Sequence, residues 1–103
     1  MAQKIDPGVI KIARSYLKEL KDHDVNFESA WLFGSQAQNR STEDSDIDIA
    51  LVMRDVAVKF FKEVDLMKYR RKIDSRIEPH IITIDELNLP FYREIEKTGV
   101  RLT

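Results

Sequence analysis

The stretch FGSQAQNRSTEDSDID, from Phe33 to Asp48, joins two apolar runs and decides how the chain is read. Upstream, Phe27 to Phe33 is short, apolar and aromatic, contains Trp31, and reads as a strand buried on both faces. Gly34-Ser35 ends it, and the polar residues Gln36 to Ser45 read as a short helical turn and a loop. Downstream, Asp46 to Met53 (DIDIALVM) alternates and then turns fully apolar, which reads as a second strand. Glycine at a strand end lets the backbone approach a ligand closely, and a serine hydroxyl with nearby N–H groups can hold phosphate oxygens. Asp46 and Asp48 stand two apart, and the period of a strand puts both carboxylates on one face. Adjacent carboxylates repel unless a cation compensates them, and hard oxygen ligands of this kind suit Mg²⁺.

Near the N-terminus, Asp6-Pro7 reads as a helix cap followed by proline in the first turn. Val9, Ala13, Tyr16, Leu17 and Leu20 then recur at helical spacing to about Lys21. Val56 to Ile73 reads as a long amphipathic helix with Phe60, Val64 and Met67 on its apolar stripe. Ile77 to Ile84 reads as a third strand. A last helix starts at Asn88-Leu89-Pro90 and is closed by Gly99, with Val100 to Thr103 as a tail. The expected class is α+β: a mixed three- to four-stranded sheet with helices packed on one face, leaving a face for a site. If the third strand neighbours the second, Glu78 completes a carboxylate triad with Asp46 and Asp48. Such a set suits phosphoryl or nucleotidyl transfer, in which two metal ions clamp the attacking and leaving oxygens and a third carboxylate holds a metal or takes a proton.

Length and composition bound the rest. A chain of 103 residues reads as a single domain, 1–103. With 17 Lys+Arg against 18 Asp+Glu the net charge is −1, which gives no general attraction to nucleic acid or to an acidic membrane. The absence of cysteine excludes disulfides, thiolate chemistry and cysteine-bound metal centres. No apolar run approaches the ~18 residues of a membrane span. The leading MAQKIDPG lacks the apolar core of a signal peptide, so the expected compartment is the cytoplasm.

Gly34-Ser35, ten residues, then Asp46-Ile47-Asp48 resembles the signature of nucleotidyltransferases of the DNA polymerase β superfamily, and the short length resembles its minimal branch. The resemblance implies a minimal polymerase β-type core. It implies that Gly34 and Ser35 contact a triphosphate, that Asp46 and Asp48 bind Mg²⁺ as a pair of ions, and that Glu78 is the third acid. It also implies ATP as substrate, with AMP passing to an acceptor hydroxyl and pyrophosphate leaving. The family often has arginines just after Gly-Ser; here the run is Gln36-Ala37-Gln38-Asn39-Arg40, and Arg40 is the candidate cation for the phosphates. Similar stand-alone proteins are often paired as antitoxins with a small all-helical HEPN protein, and some transfer AMP to a tyrosine of that partner. The chain is too short to carry its own acceptor-binding domain, so a partner or another copy is expected to supply one.

Other readings stand beside these. The glutamines at 36 and 38, and glutamate rather than the commoner aspartate at 78, suit a non-catalytic module that neutralises its partner by contact. A nucleic-acid-modifying transferase is opposed by the charge balance. Asp44-x-Asp46-x-Asp48 mimics the start of an EF-hand loop, but Ile49 stands where that loop needs glycine. No Gly-Lys-Ser/Thr follows Gly34, which excludes a Walker A loop. Glu78 could instead pair with Arg76, and Asp74 is the rival third acid. His80 shares a strand face with Glu78 and reads as structural or as a metal or nucleotide contact. His23 reads as surface, and the run Lys68, Arg70, Arg71 and Lys72 as a helix C-terminus. Trp31, Phe33, Phe60 and Phe61 read as core. Phe91 and Tyr92 read as core or subunit interface.

Overall fold

The computed structural model describes residues 5–38 and 45–103. Helix α1 (Pro7–Asp22) leads to strand β1 (Ser29–Phe33), a 3-10 turn (Gly34–Gln36) and β2 (Ile47–Met53). Helix α2 (Lys59–Met67), a second 3-10 turn (Lys68–Arg70) and β3 (Ile77–Thr83) follow. A third 3-10 turn (Ile84–Glu86), α3 (Pro90–Thr98) and β4 (Val100–Arg101) complete the order. The expected α+β mixed sheet is present, with four strands in the order β3-β2-β1-β4. β1 runs antiparallel to β2 and β4, and β2 runs parallel to β3. A parallel pair needs a crossover connection, and α2 supplies it.

Local chemistry sets the elements. The Asp6 carboxylate accepts from the Gly8 N–H at 2.8 Å, capping α1 as its sequence predicts. The α1 stripe Val9, Ala13, Tyr16, Leu17 and Leu20 is buried, and it packs with Ile47, Ile49, Leu51, Ile77 and Ile81 on one sheet face. Leu66 of α2 joins this core, and the Tyr16 hydroxyl donates to the Leu66 carbonyl at 2.7 Å. Burial raises the Tyr16 pKa, as expected for a phenol kept neutral in apolar surroundings.

Helices α1 and α2 share a face, whereas α3 lies on the other one. There Tyr92 and Ile95 pack on Ala50, Val52 and Ile82, with Trp31 and Phe33 alongside. Alternation explains it: Ala50, Val52 and Ile82 are apolar on the face opposite α1 and need cover. Asp48, Glu78 and His80 remain half-buried.

Several boundaries and burials differ from expectation. α2 is shorter, and Phe60 and Phe61 are not core but 67% and 68% exposed. The inward contacts of α2 and the turn after it come instead from Lys59, Glu63, Leu66 and Arg70, which follow helical spacing. Lys59 Nζ donates to Glu86 Oε1 at 2.9 Å, Glu63 Oε2 accepts from the Ile81 N–H at 2.8 Å, and Arg70 Nη1 donates to the Ile77 carbonyl at 2.9 Å. Two of these contacts, with Pro79 between them, close the free edge of β3. The tail after Gly99 forms β4, whose Arg101 and Val100 pair with Trp31 and Leu32. Gly99 ends α3 in extended backbone, so positive φ is not the reason for glycine. The reason is close approach: a Cβ there would lie 2.6 Å from the Ile95 carbonyl oxygen and 2.8 Å from that of Leu32. No helix among the described residues is long and apolar enough to cross a membrane.

Candidate active site

Three elements meet where β1 ends. Phe33, the last residue of β1, is the antiparallel partner of Asp48, and Asp48 is the parallel partner of Glu78. Asp48 and Glu78 therefore stand side by side on neighbouring strands, both half-buried. Asp46 precedes β2 by one residue and is exposed; the strand starts at Ile47, one residue later than its alternation predicts. Among the described residues no group of three or more His, Asp or Glu side chains is drawn together as a ready metal cage. The donors are nonetheless hard carboxylate oxygens, two of them in strand register, and such donors fit Mg²⁺ completed by water and substrate phosphates.

Gly34 carries a positive φ of 76°. A Cβ built there would lie 3.4 Å from Asp48 Cγ and would overlap Asp48 Oδ2. Only glycine fits both the backbone angle and the space, so the bare Cα of Gly34 lies directly against one oxygen of Asp48. Ser35 follows in the 3-10 turn, half-buried. Gln36 is 4% exposed, and its Nε2 donates to the Ser45 carbonyl at 3.2 Å. The glutamine that departs from the family pattern is thus a strut, tying the turn after β1 to the residue before Asp46. Nothing in the sequence signals that role. Arg40 and Asp44 lie outside the described residues.

His80 completes the cluster. Its Nε2 lies 3.1 Å from Asp48 Oδ1, and its ring meets Phe33 edge to face at 5.1 Å between centroids. Phe33 in turn meets Phe91 at 5.7 Å. The hydrogen bond to Asp48 raises the His80 pKa, opposed by burial and reinforced by the charges of Asp48, Glu63 and Glu78. Asp74, the rival third acid, is committed elsewhere: it accepts from the Arg76 N–H at 2.9 Å and from its guanidinium at 3.0 and 2.9 Å. Those bonds hold the Asp74 carboxyl below its ordinary range. Tyr92 is buried whereas Phe91 is exposed, and His23 is a surface residue bridged to Glu19 at 3.3 Å.

The chain and its fold match known proteins. Residues 15–103 match the model of the family described as Polymerase beta, Nucleotidyltransferase. A Methanocaldococcus jannaschii protein, named as a candidate protein adenylyltransferase, is 31% identical over 84 residues, covering 82% of this chain and 83% of that one. A crystal structure of a candidate nucleotidyltransferase from Sulfolobus solfataricus superposes with a TM-score of 0.65 at 22% identity, covering 90% of this chain and 78% of its own. A mutant of the toxin–antitoxin MntA–HpeT, with two aspartates changed to glutamate, superposes with a TM-score of 0.65 at 21% identity, covering 87% and 71%.

Proposed function

Since the chain belongs to the polymerase β nucleotidyltransferase family and is a nucleotidyltransferase, we propose that it transfers AMP from ATP to an acceptor hydroxyl, using Asp46, Asp48 and Glu78. The observation that carries this reading is the strand register of Asp48 with Glu78 beside the bare Cα of Gly34. Gly34 and Ser35 receive the triphosphate, through backbone N–H groups and the serine hydroxyl, and Arg40 offsets its charge. Asp46, Asp48 and Glu78 would hold the Mg²⁺ that this chemistry uses. Bound Mg²⁺ supplies charge neutralisation on the phosphates and eases loss of the hydroxyl proton.

The acceptor oxygen forms a bond to the α-phosphorus while the bond from that phosphorus to the α–β bridging oxygen breaks. Pyrophosphate departs, and in this reading Glu78 accepts the hydroxyl proton. The acceptor belongs to a partner, an all-helical HEPN toxin for which this chain is the antitoxin. The M. jannaschii relative named for adenylyl transfer to protein supports a protein acceptor, and the MntA–HpeT neighbour supports the pairing.

A Mg·ATP titration by calorimetry, with EDTA and Asp46→Asn as controls, tests the site. Binding that needs metal and is lost in Asp46→Asn is expected, followed by transfer of α-phosphate label to the partner. Label-free partner in the presence of bound Mg·ATP would leave a module that acts by contact.

A further inference from the structure

We propose that His80 is a positioning residue: its Nε2–H holds Oδ1 of Asp48 and leaves Oδ2, the oxygen against Gly34, to take the cation. An ionised carboxylate only accepts, so the 3.1 Å contact requires the proton on Nε2. Asp48 is thereby gripped from two sides. His80 holds one oxygen, and the lack of a side chain at Gly34 leaves room for the other, which any Cβ there would overlap. Phe33 packs edge-on against the imidazole at 5.1 Å and stands opposite Asp48 on β1, so the ring that supports His80 is fixed by the same strand pairing as the carboxylate. His80 pairs with Ala50 in the β2–β3 register, one step along the same face from Asp48 and Glu78. Outer partners of this kind fix a ligand's orientation, and their loss typically costs ten- to a hundredfold in metal affinity. The inference rests on Asp48 being a metal ligand.

Two substitutions separate the donor from the ring. His80→Gln keeps an N–H of similar reach and removes the ring; His80→Phe keeps the ring against Phe33 and removes the donor. Mn²⁺ binding to the full chain with ATP, followed by water-proton relaxation, is expected to weaken about tenfold in His80→Phe. It should stay within about threefold of wild type in His80→Gln. In metal-free protein, three-bond couplings to Asp48 Cγ should report one χ1 rotamer in wild type and His80→Gln and averaging in His80→Phe. The reverse pattern, with His80→Phe like wild type and His80→Gln impaired, would overturn the proposal and leave only ring packing. If Asp48→Asn binds Mn·ATP normally, the reading of Asp48 as a ligand fails. The metal-free couplings then still decide whether His80 orients Asp48.

Discussion

At Gly34 two independent constraints coincide, a left-handed backbone angle and the nearness of the Asp48 carboxylate. Alanine there should cost roughly 1–2 kcal/mol for the backbone alone, before the carboxylate moves. A urea melt of Gly34→Ala checks the stability, and lost Mg·ATP binding should accompany it. The Gly34-Ser35 and Asp46/Asp48 spacing was legible because backbone freedom and paired charge leave marks in residue type. Gln36 was not legible, because its partner is a backbone carbonyl nine residues away. The Asp48–His80 bond was half legible: strand period placed His80 on the face of Glu78, but only the β2–β3 register brings Asp48 within reach.

At the scale of elements, α2 shows where hydrophobic periodicity misleads. Phe60 and Val64 formed the obvious stripe, yet both are exposed, and the sheet side is built from Lys59, Glu63, Leu66 and Arg70. Polar side chains that satisfy backbone groups or one another leave no mark in an apolar pattern. Glu86 is the clearest of these tethers. Its Oε1 accepts from the Thr83 N–H and hydroxyl, both at 2.9 Å, and Lys59 reaches the same carboxylate. Glu86→Ala removes a capping box and should cost about 1 kcal/mol, read by thermal melting at neutral pH. The hydrogen bond from the Thr83 N–H, and after it that from Lys59, lowers the Glu86 pKa from its ordinary value. A depressed carboxylate stabilises the fold above its unfolded pKa and loses that contribution as pH falls through the folded value. The difference between Glu86→Ala and wild type should therefore shrink as acidification protonates the Glu86 carboxylate.

Across the whole molecule, β2 is the strand on which everything depends, flanked by β1 and β3 and buried from both sides. Ile49 is fully buried in the larger core, so Ile49→Ala should cost about 2–5 kcal/mol. That is a large share of the roughly 5–15 kcal/mol that holds most domains together. Denaturant unfolding measures it, and a loss below about 1 kcal/mol would mean that this core is more loosely packed than its burial shows. The order of strands could not be read from the chain, because β4 is two residues long, too short to show a pattern, and its approach to β1 needs a glycine at 99, where a Cβ would lie 2.8 Å from the Leu32 carbonyl oxygen. The closed edge of β3 bears on how an acceptor is met. Glu63 occupies the Ile81 N–H, Arg70 occupies the Ile77 carbonyl, and Pro79 between them has no N–H to offer. An extended peptide has no ladder to zip onto beside the carboxylates. Strand addition at this edge is therefore not a route by which another chain reaches Asp48 and Glu78.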